Sequence, residues 1–172
     1  VVIRSTILPG TMQSVVLPAL RQSSGREPGT DFAVLNNPEF LREGTAVNDY
    51  FNPPKTVIGA LHPDNARSLE LVYADLPGPK ITTSLETAEL VTYADNVWHA
   101  LKVGFANEVG AICKQLNIDS HPLMDIFCQD RKLNISPAYF KPGFAFGGSC
   151  LPKDLRALTR LALTQDVAAP LL

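Results

Sequence analysis

The chain has 172 residues and a formal charge of −2, with 45% hydrophobic and 19% charged residues. That balance supports a filled globular core and excludes a disordered chain, while the lack of any Lys/Arg run removes the electrostatic basis for binding nucleic acid or an anionic membrane surface. No apolar stretch approaches the roughly 20 residues of a membrane span, so a cytoplasmic protein is expected, with a small molecule or a second copy of itself as partner.

Residues 1–8, VVIRSTIL, read as a β-branched strand. A strand that opens without a methionine, in a chain short for a large enzyme, implies that a segment precedes it. PGT then makes a turn, and TMQSVVLPALRQ has apolar side chains at helical spacing, with Thr11 as the candidate cap. FAVLNNPEF is a short strand that ends in a polar loop. KTVIGA at 55–60 and KITTS at 80–84 are two further strands, with a helix over 63–76 between them. Strands alternating with helices predict an α/β fold with a parallel sheet, whose ligands gather at the carboxyl ends of the strands.

From residue 85 the pattern changes to a long proline-free helix, followed by a helix near 121–133, a loop, and a last helix over 152–165. The predicted organisation is therefore an α/β part over 1–84 and an all-helical part over 85–172, with a hinge at 82–85. On the long helix Leu90, Ala94, Val97, Leu101, Phe105, Val109, Ile112 and Leu116 form one apolar stripe, the expected core seam. Asn96, His99 and Asn107 line up on another side, either as a solvated face or as the lining of a ligand site. Burial of the helix on several sides suggests a dimer interface.

Cys113, Cys128 and Cys150 are odd in number and include no CxxC pair, so neither a disulfide framework nor a zinc site is indicated. Cys113 and Cys128 sit in apolar patterns and read as packing residues. Cys150 differs, because GGSCLPKD places it at a helix start, where the dipole and free N–H groups favour a thiolate. Lys153 adds positive charge, and Asp154 could order a water. The alternative is a tight glycine turn with a buried cysteine.

GGSCLPKD together with RSTILPGT, NNPEFLREGTA and DNVWHALKVGFANEVG resembles the UDP-glucose and GDP-mannose dehydrogenase family, and CQDRKLN with KPGFAFGGSCLPKD looks like its GDP-mannose branch. These motifs cover nearly the whole chain but correspond to the middle of the family's polypeptide. The resemblance implies the C-terminal part of a Rossmann-like NAD-binding domain followed by a central helical dimerisation domain. It also implies a four-electron oxidation of a nucleotide-sugar C6 alcohol with two NAD molecules. With GDP-mannose the product is GDP-mannuronate, a precursor of acidic exopolysaccharides such as alginate; with UDP-glucose the chemistry is the same.

By the same resemblance Cys150 is the nucleophile, passing through a thiohemiacetal and a thioester, and Asp154 is the base and partner of the water. Thr6 lies near the nicotinamide and the reacting oxygen, and Glu39 acts on protons or orients water. Glu43, Asn96, His99 and Asn107 contact substrate, as do Tyr139, Lys141, Pro142 and Phe144 in a sugar-nucleotide clamp. Lys153 reaches NAD. Three residues depart from the family pattern. Thr92 stands where the family has a lysine that stabilises the C6 oxyanion, and Lys102, almost three turns farther along the helix, is not placed to replace it. Lys141 and Ala138 replace an expected arginine and aromatic. No G-x-G-x-x-G occurs, so the pyrophosphate cradle of a dinucleotide fold lies outside these residues, and this stretch alone is expected to bind NAD poorly.

Overall fold

A computed structural model describes residues 1–136 and 150–171, except for the side chains of Cys150, Leu151 and Asp154. The chain divides into two compact units, residues 1–97 and 98–172.

The first unit is built on a four-stranded sheet, β1 (Val2–Ile3), β2 (Leu35–Asn36), β3 (Thr56–Ala60) and β4 (Lys80–Thr83), in that spatial order. All five residues of β3 are buried, as expected of a strand covered on both faces. Alternation along β2 feeds two separate cores. Val34 joins Met12, Leu17 and Leu85 on one side, and Leu35 joins Ile58, Ala60 and Ala66 on the other. The first core is covered by α1 (Leu17–Ser24) and the start of α4 (Leu85–Gln115), the second by α3 (Arg67–Val72) and the 3₁₀ turn before it. Gly59 of β3 lets α4 approach closely: a Cβ there would lie 2.6 Å from the Ala88 Cβ and 3.1 Å from the Leu85 Cα.

The α/β class stands, with one difference in the sheet. β1/β2 and β3/β4 are parallel, but β2/β3 is antiparallel. A parallel return needs a crossover of a dozen or more residues, usually on a helix. The segment joining β2 to β3 has residues enough for that, but its one helix, the six-residue α2 (Ala46–Phe51), covers only about 9 Å. It turns back at the same edge, and β3 comes in antiparallel.

Helix α1 departs from expectation in its cap. Thr11 makes no capping bond, and its hydroxyl donates to the Leu8 carbonyl at 2.6 Å. The free N–H groups are taken by a residue far along the chain: the Glu89 carboxylate accepts from Gly10 N at 2.6 Å and Met12 N at 2.7 Å. Glu89 is only 2% exposed. The turn that leads into α1, Met12–Val16, is π-helical, with Leu17 N donating to the Met12 carbonyl. This widened turn lies beside Pro18, which has no N–H to give and would crowd a regular turn. Gly25 ends the helix in the left-handed conformation, φ 65°.

The apolar stripe on α4 is not a core seam. In the first unit the buried positions are Leu85, Ala88, Glu89 and Thr92, whereas Leu90, Ala94 and Val97 are exposed. In the second unit Leu101 and Leu116 are exposed, while Ile112 and Cys113 are buried. Leu90 and Val97 lie roughly 120–140° around the helix from Leu85 at 100° per residue, so the apolar stripe and the sheet-facing stripe are different faces. Helix α5 (Ser120–Phe127) is capped by Asp119, which accepts from His121 N at 3.0 Å, and α6 spans Cys150–Thr164. Among the described residues, no helix is long and apolar enough to cross a membrane.

Candidate functional site

Because β1 and β2 are parallel and in register (Ile3↔Asn36), the chain leaves both strands at one edge of the sheet. That edge carries Thr6, exposed in the loop after β1, and Glu39, half-buried in the loop after β2. The second loop is held by buried polar contacts. Asn37 Nδ2 donates to the Val57 carbonyl at 2.8 Å, and Tyr73 OH donates to Asn37 Oδ1 at 2.7 Å. Beyond this anchor the Glu39 carboxylate accepts from Leu41 N at 2.7 Å. Arg4, Glu39, Phe40, Tyr50, Lys55 and Tyr73 line a cleft of about 40 Å³ here. Among the described residues the cleft is small beside ligand pockets of roughly 300–1,000 Å³.

One wall of the cleft is fixed by an ion pair. Arg42 meets Asp49 in a two-pronged contact, Nη2 to Oδ1 at 2.7 Å and Nε to Oδ2 at 3.0 Å. Arg42 N and Thr45 Oγ1 also donate to Oδ2, at 3.0 and 2.9 Å. These donors, the Arg42 guanidinium first, hold the Asp49 carboxyl far below the ordinary carboxylate range. A carboxyl depressed in the folded state adds stability above its unfolded value, near 3.9, which fades as the pH falls below that. Melting temperature should therefore fall with acidification below about pH 4, and Asp49→Asn should be less stable at pH 7 with a flatter acid limb. Parallel acid limbs for the two proteins would remove Asp49 from this role.

Glu43 is exposed in the turn before α2, and Asn96, His99 and Asn107 are exposed on α4. Lys153 is exposed in the first turn of α6, which begins at Cys150, two residues earlier than the sequence suggests. Tyr139, Lys141, Pro142 and Phe144 lie outside the described residues, as do the side chains of Cys150 and Asp154. Cys113 is buried as expected, but Cys128 is exposed just after α5, a helix none of whose residues is buried. Among the described residues, no cluster of His, Cys, Asp and Glu could hold a metal.

Thr92 is 6% exposed, and its hydroxyl has no hydrogen-bond partner. Three residues on, Asp95 Oδ2 accepts from Lys55 Nζ at 2.7 Å, and the same ammonium lies 4.8 Å from the centre of the Phe40 ring. No local spacing flags the Lys55–Asp95 pair, because its members are 40 residues apart; the return of α4 across the sheet brings them together, and the pairing of β2 with β3 sets Lys55 beside Phe40.

Residues 1–77 match the NAD binding domain, and residues 86–172 the central domain, of the UDP-glucose/GDP-mannose dehydrogenase family. A GDP-mannose 6-dehydrogenase of Pseudomonas putida is 54% identical over all 172 residues, which span 39% of that relative's length. A ternary complex of GDP-mannose dehydrogenase from Pseudomonas aeruginosa superposes with a TM-score of 0.95 at 54% identity, covering 98% of this chain and 39% of the other. A UDP-glucose dehydrogenase from the archaeon Pyrobaculum islandicum gives 0.72 at 40% identity, covering 99% and 38%. With both domain matches covering nearly all of its length, the chain belongs to the UDP-glucose/GDP-mannose dehydrogenase family.

Proposed function

We propose that the complete protein oxidises the C6 alcohol of GDP-mannose to the carboxylate of GDP-mannuronate, with two molecules of NAD consumed per sugar. The observation that carries this reading is the 54% identity, over the whole chain, to enzymes named for GDP-mannose, against 40% to the UDP-glucose enzyme above. Residues 1–84 then close the NAD-binding domain, and 85–172 form the central domain that pairs two subunits. The exposed apolar side chains Leu90, Val97 and Leu101, which share one face of α4, support such pairing.

The residues present fit the nicotinamide end of NAD: Thr6 is exposed at the carboxyl end of β1, where open α/β sheets receive ligands. Lys153, also exposed, would meet NAD from α6. When bound, NAD supplies the hydride acceptor, once for each oxidation. Glu39 takes or relays the hydroxyl proton, and Thr6 holds the reacting oxygen. The Cys150 thiolate adds to the C6 aldehyde, forming a C–S bond. Loss of a second hydride leaves a thioester, and a water oriented by Asp154 breaks the C–S bond, returning the thiolate and releasing the carboxylate. Glu43, Asn96, His99, Asn107, Tyr139, Lys141, Pro142 and Phe144 hold the nucleotide sugar.

A second reading is a non-catalytic relative, favoured by the neutral Thr92 at the position of the family lysine. Nicotinamide reduction by the complete natural polypeptide, followed at 340 nm with either sugar nucleotide, separates the readings. Two reduced nicotinamides per GDP-mannose, with UDP-glucose much the poorer substrate, is the expected result. The reverse preference moves the protein to the UDP-glucose branch, and no reduction with either sugar supports the non-catalytic relative.

A further inference from the structure

The antiparallel pairing of β2 with β3 has a chemical consequence. It returns the amino end of β3 to the edge where β1 and β2 release Thr6 and Glu39. Continuing the register Leu35↔Ala60, Asn36↔Gly59 sets Lys55 opposite Phe40, in agreement with the ammonium standing over that ring. Helix α4 starts at the opposite edge, just after β4, and its first ten residues carry it about 15 Å back across the sheet to Asp95. Thr92 and Asp95, three apart, are neighbours on the helix surface. The carboxylate that holds Lys55 is therefore one helical turn along α4 from Thr92, whose buried hydroxyl has no partner.

Two cations line the cleft among the described residues, Arg4 and Lys55. Arg4 is exposed, and the nearby Arg42 is taken up by Asp49. The Lys55 side chain is 29% exposed and fixed by two contacts. We propose that Lys55 is the cation of this site, its ammonium held by Asp95 and Phe40 to stabilise the negative charge on the substrate's C6 oxygen, a role that presupposes the C6 oxidation proposed above. An ammonium has three N–H donors, so Lys55 can keep its bond to Asp95 and give another to an oxyanion. The positive charge reaches the oxygen from the sheet rather than from the helix.

The test compares the complete natural polypeptide with Lys55→Met, Lys55→Arg and the double variant Lys55→Met/Thr92→Lys. Loss of one oxyanion donor lowers kcat by about 10²–10³-fold, so Lys55→Met is expected to fall by that factor with little change in KM. Lys55→Arg should retain more activity, and the double variant should recover at least about tenfold, since it restores the charge from α4. Full kcat in Lys55→Met, or no recovery in the double variant, overturns the proposal. If Lys55→Met lacks the native circular dichroism spectrum, Lys55→Gln replaces it with the same expected loss. Calorimetric binding of GDP-mannose and GDP-mannuronate gives a readout independent of turnover: removing Lys55 should weaken the uronate, with its C6 carboxylate, far more than the alcohol. If the parent turns over no nucleotide sugar, the oxidation reading fails, and the binding ratio alone decides whether Lys55 faces C6. Equal weakening of both ligands, or no binding of either by the parent, overturns the role of Lys55.

Discussion

Replacing Cys150 with alanine is expected to cut steady-state turnover of GDP-mannose by at least about 10⁴-fold, the scale on which removing a catalytic nucleophile acts. On the proposed mechanism, a protein without this thiolate has no sulfur to capture the C6 aldehyde, so the second oxidation should lose its covalent intermediate and the ratio of two reduced nicotinamides per sugar should collapse. The backbone supports this assignment, since α6 begins at Cys150, and a helix start carries unpaired N–H groups and the positive end of the dipole. Pro152, in the first turn, costs the helix no hydrogen bond. The comparison is with the other two thiols. Cys128→Ser, at an exposed position, should leave turnover intact, and Cys113→Ala, at a buried one, should lower stability before it lowers kcat. A Cys150→Ala protein that still yields two reduced nicotinamides per sugar at more than a tenth of the parent rate would end the covalent mechanism.

Local signals in the sequence reach as far as neighbouring residues do. β3 is legible because five successive buried residues read as a strand covered on both faces, and α4 because 31 residues pass without a proline. Direction is a different matter: nothing in KTVIGA says which way it runs beside β2, since that depends on how far the intervening chain can carry it. α2 escapes notice because six residues are too few for an apolar period to show. The stripe on α4 fails for a related reason. A 3.6-residue period finds an apolar face, but it does not say what covers that face, and the face against the sheet carries the polar Glu89 and Thr92 among Leu85 and Ala88. Both polar residues belong to the site edge, Glu89 through the loop before α1 and Thr92 through its neighbour Asp95. The rule that ligands gather at carboxyl ends points to the loops after β1 and β2, and the family resemblance picks out Thr6 and Glu39 within them; neither reaches Lys55, which arrives at that edge by its strand's amino end.

Glu89→Ala is expected to destabilise the protein by ~3 kcal/mol, since hydrogen bonds to charged groups contribute about 1.5–3 kcal/mol and a buried donor left unpaired is costly. The carboxylate holds Gly10 N and Met12 N together across 79 and 77 residues of chain, joining α4 to the loop that carries Thr6. It also lies at the amino end of the helix that Met12 opens, where negative charge is favoured. Glu89→Gln, which keeps one acceptor oxygen but loses the charge, should fall between the parent and the alanine variant. Denaturant midpoints give the ranking, and amide hydrogen exchange gives the cause, because protection at Gly10 and Met12 should drop more than at β3. If Glu89→Ala melts with the parent, or loses protection evenly, Glu89 fills space without holding the loop. If the loss is local, the same carboxylate that caps α1 also sets the position of Thr6, and turnover by Glu89→Gln should decline together with the protection of those two amides.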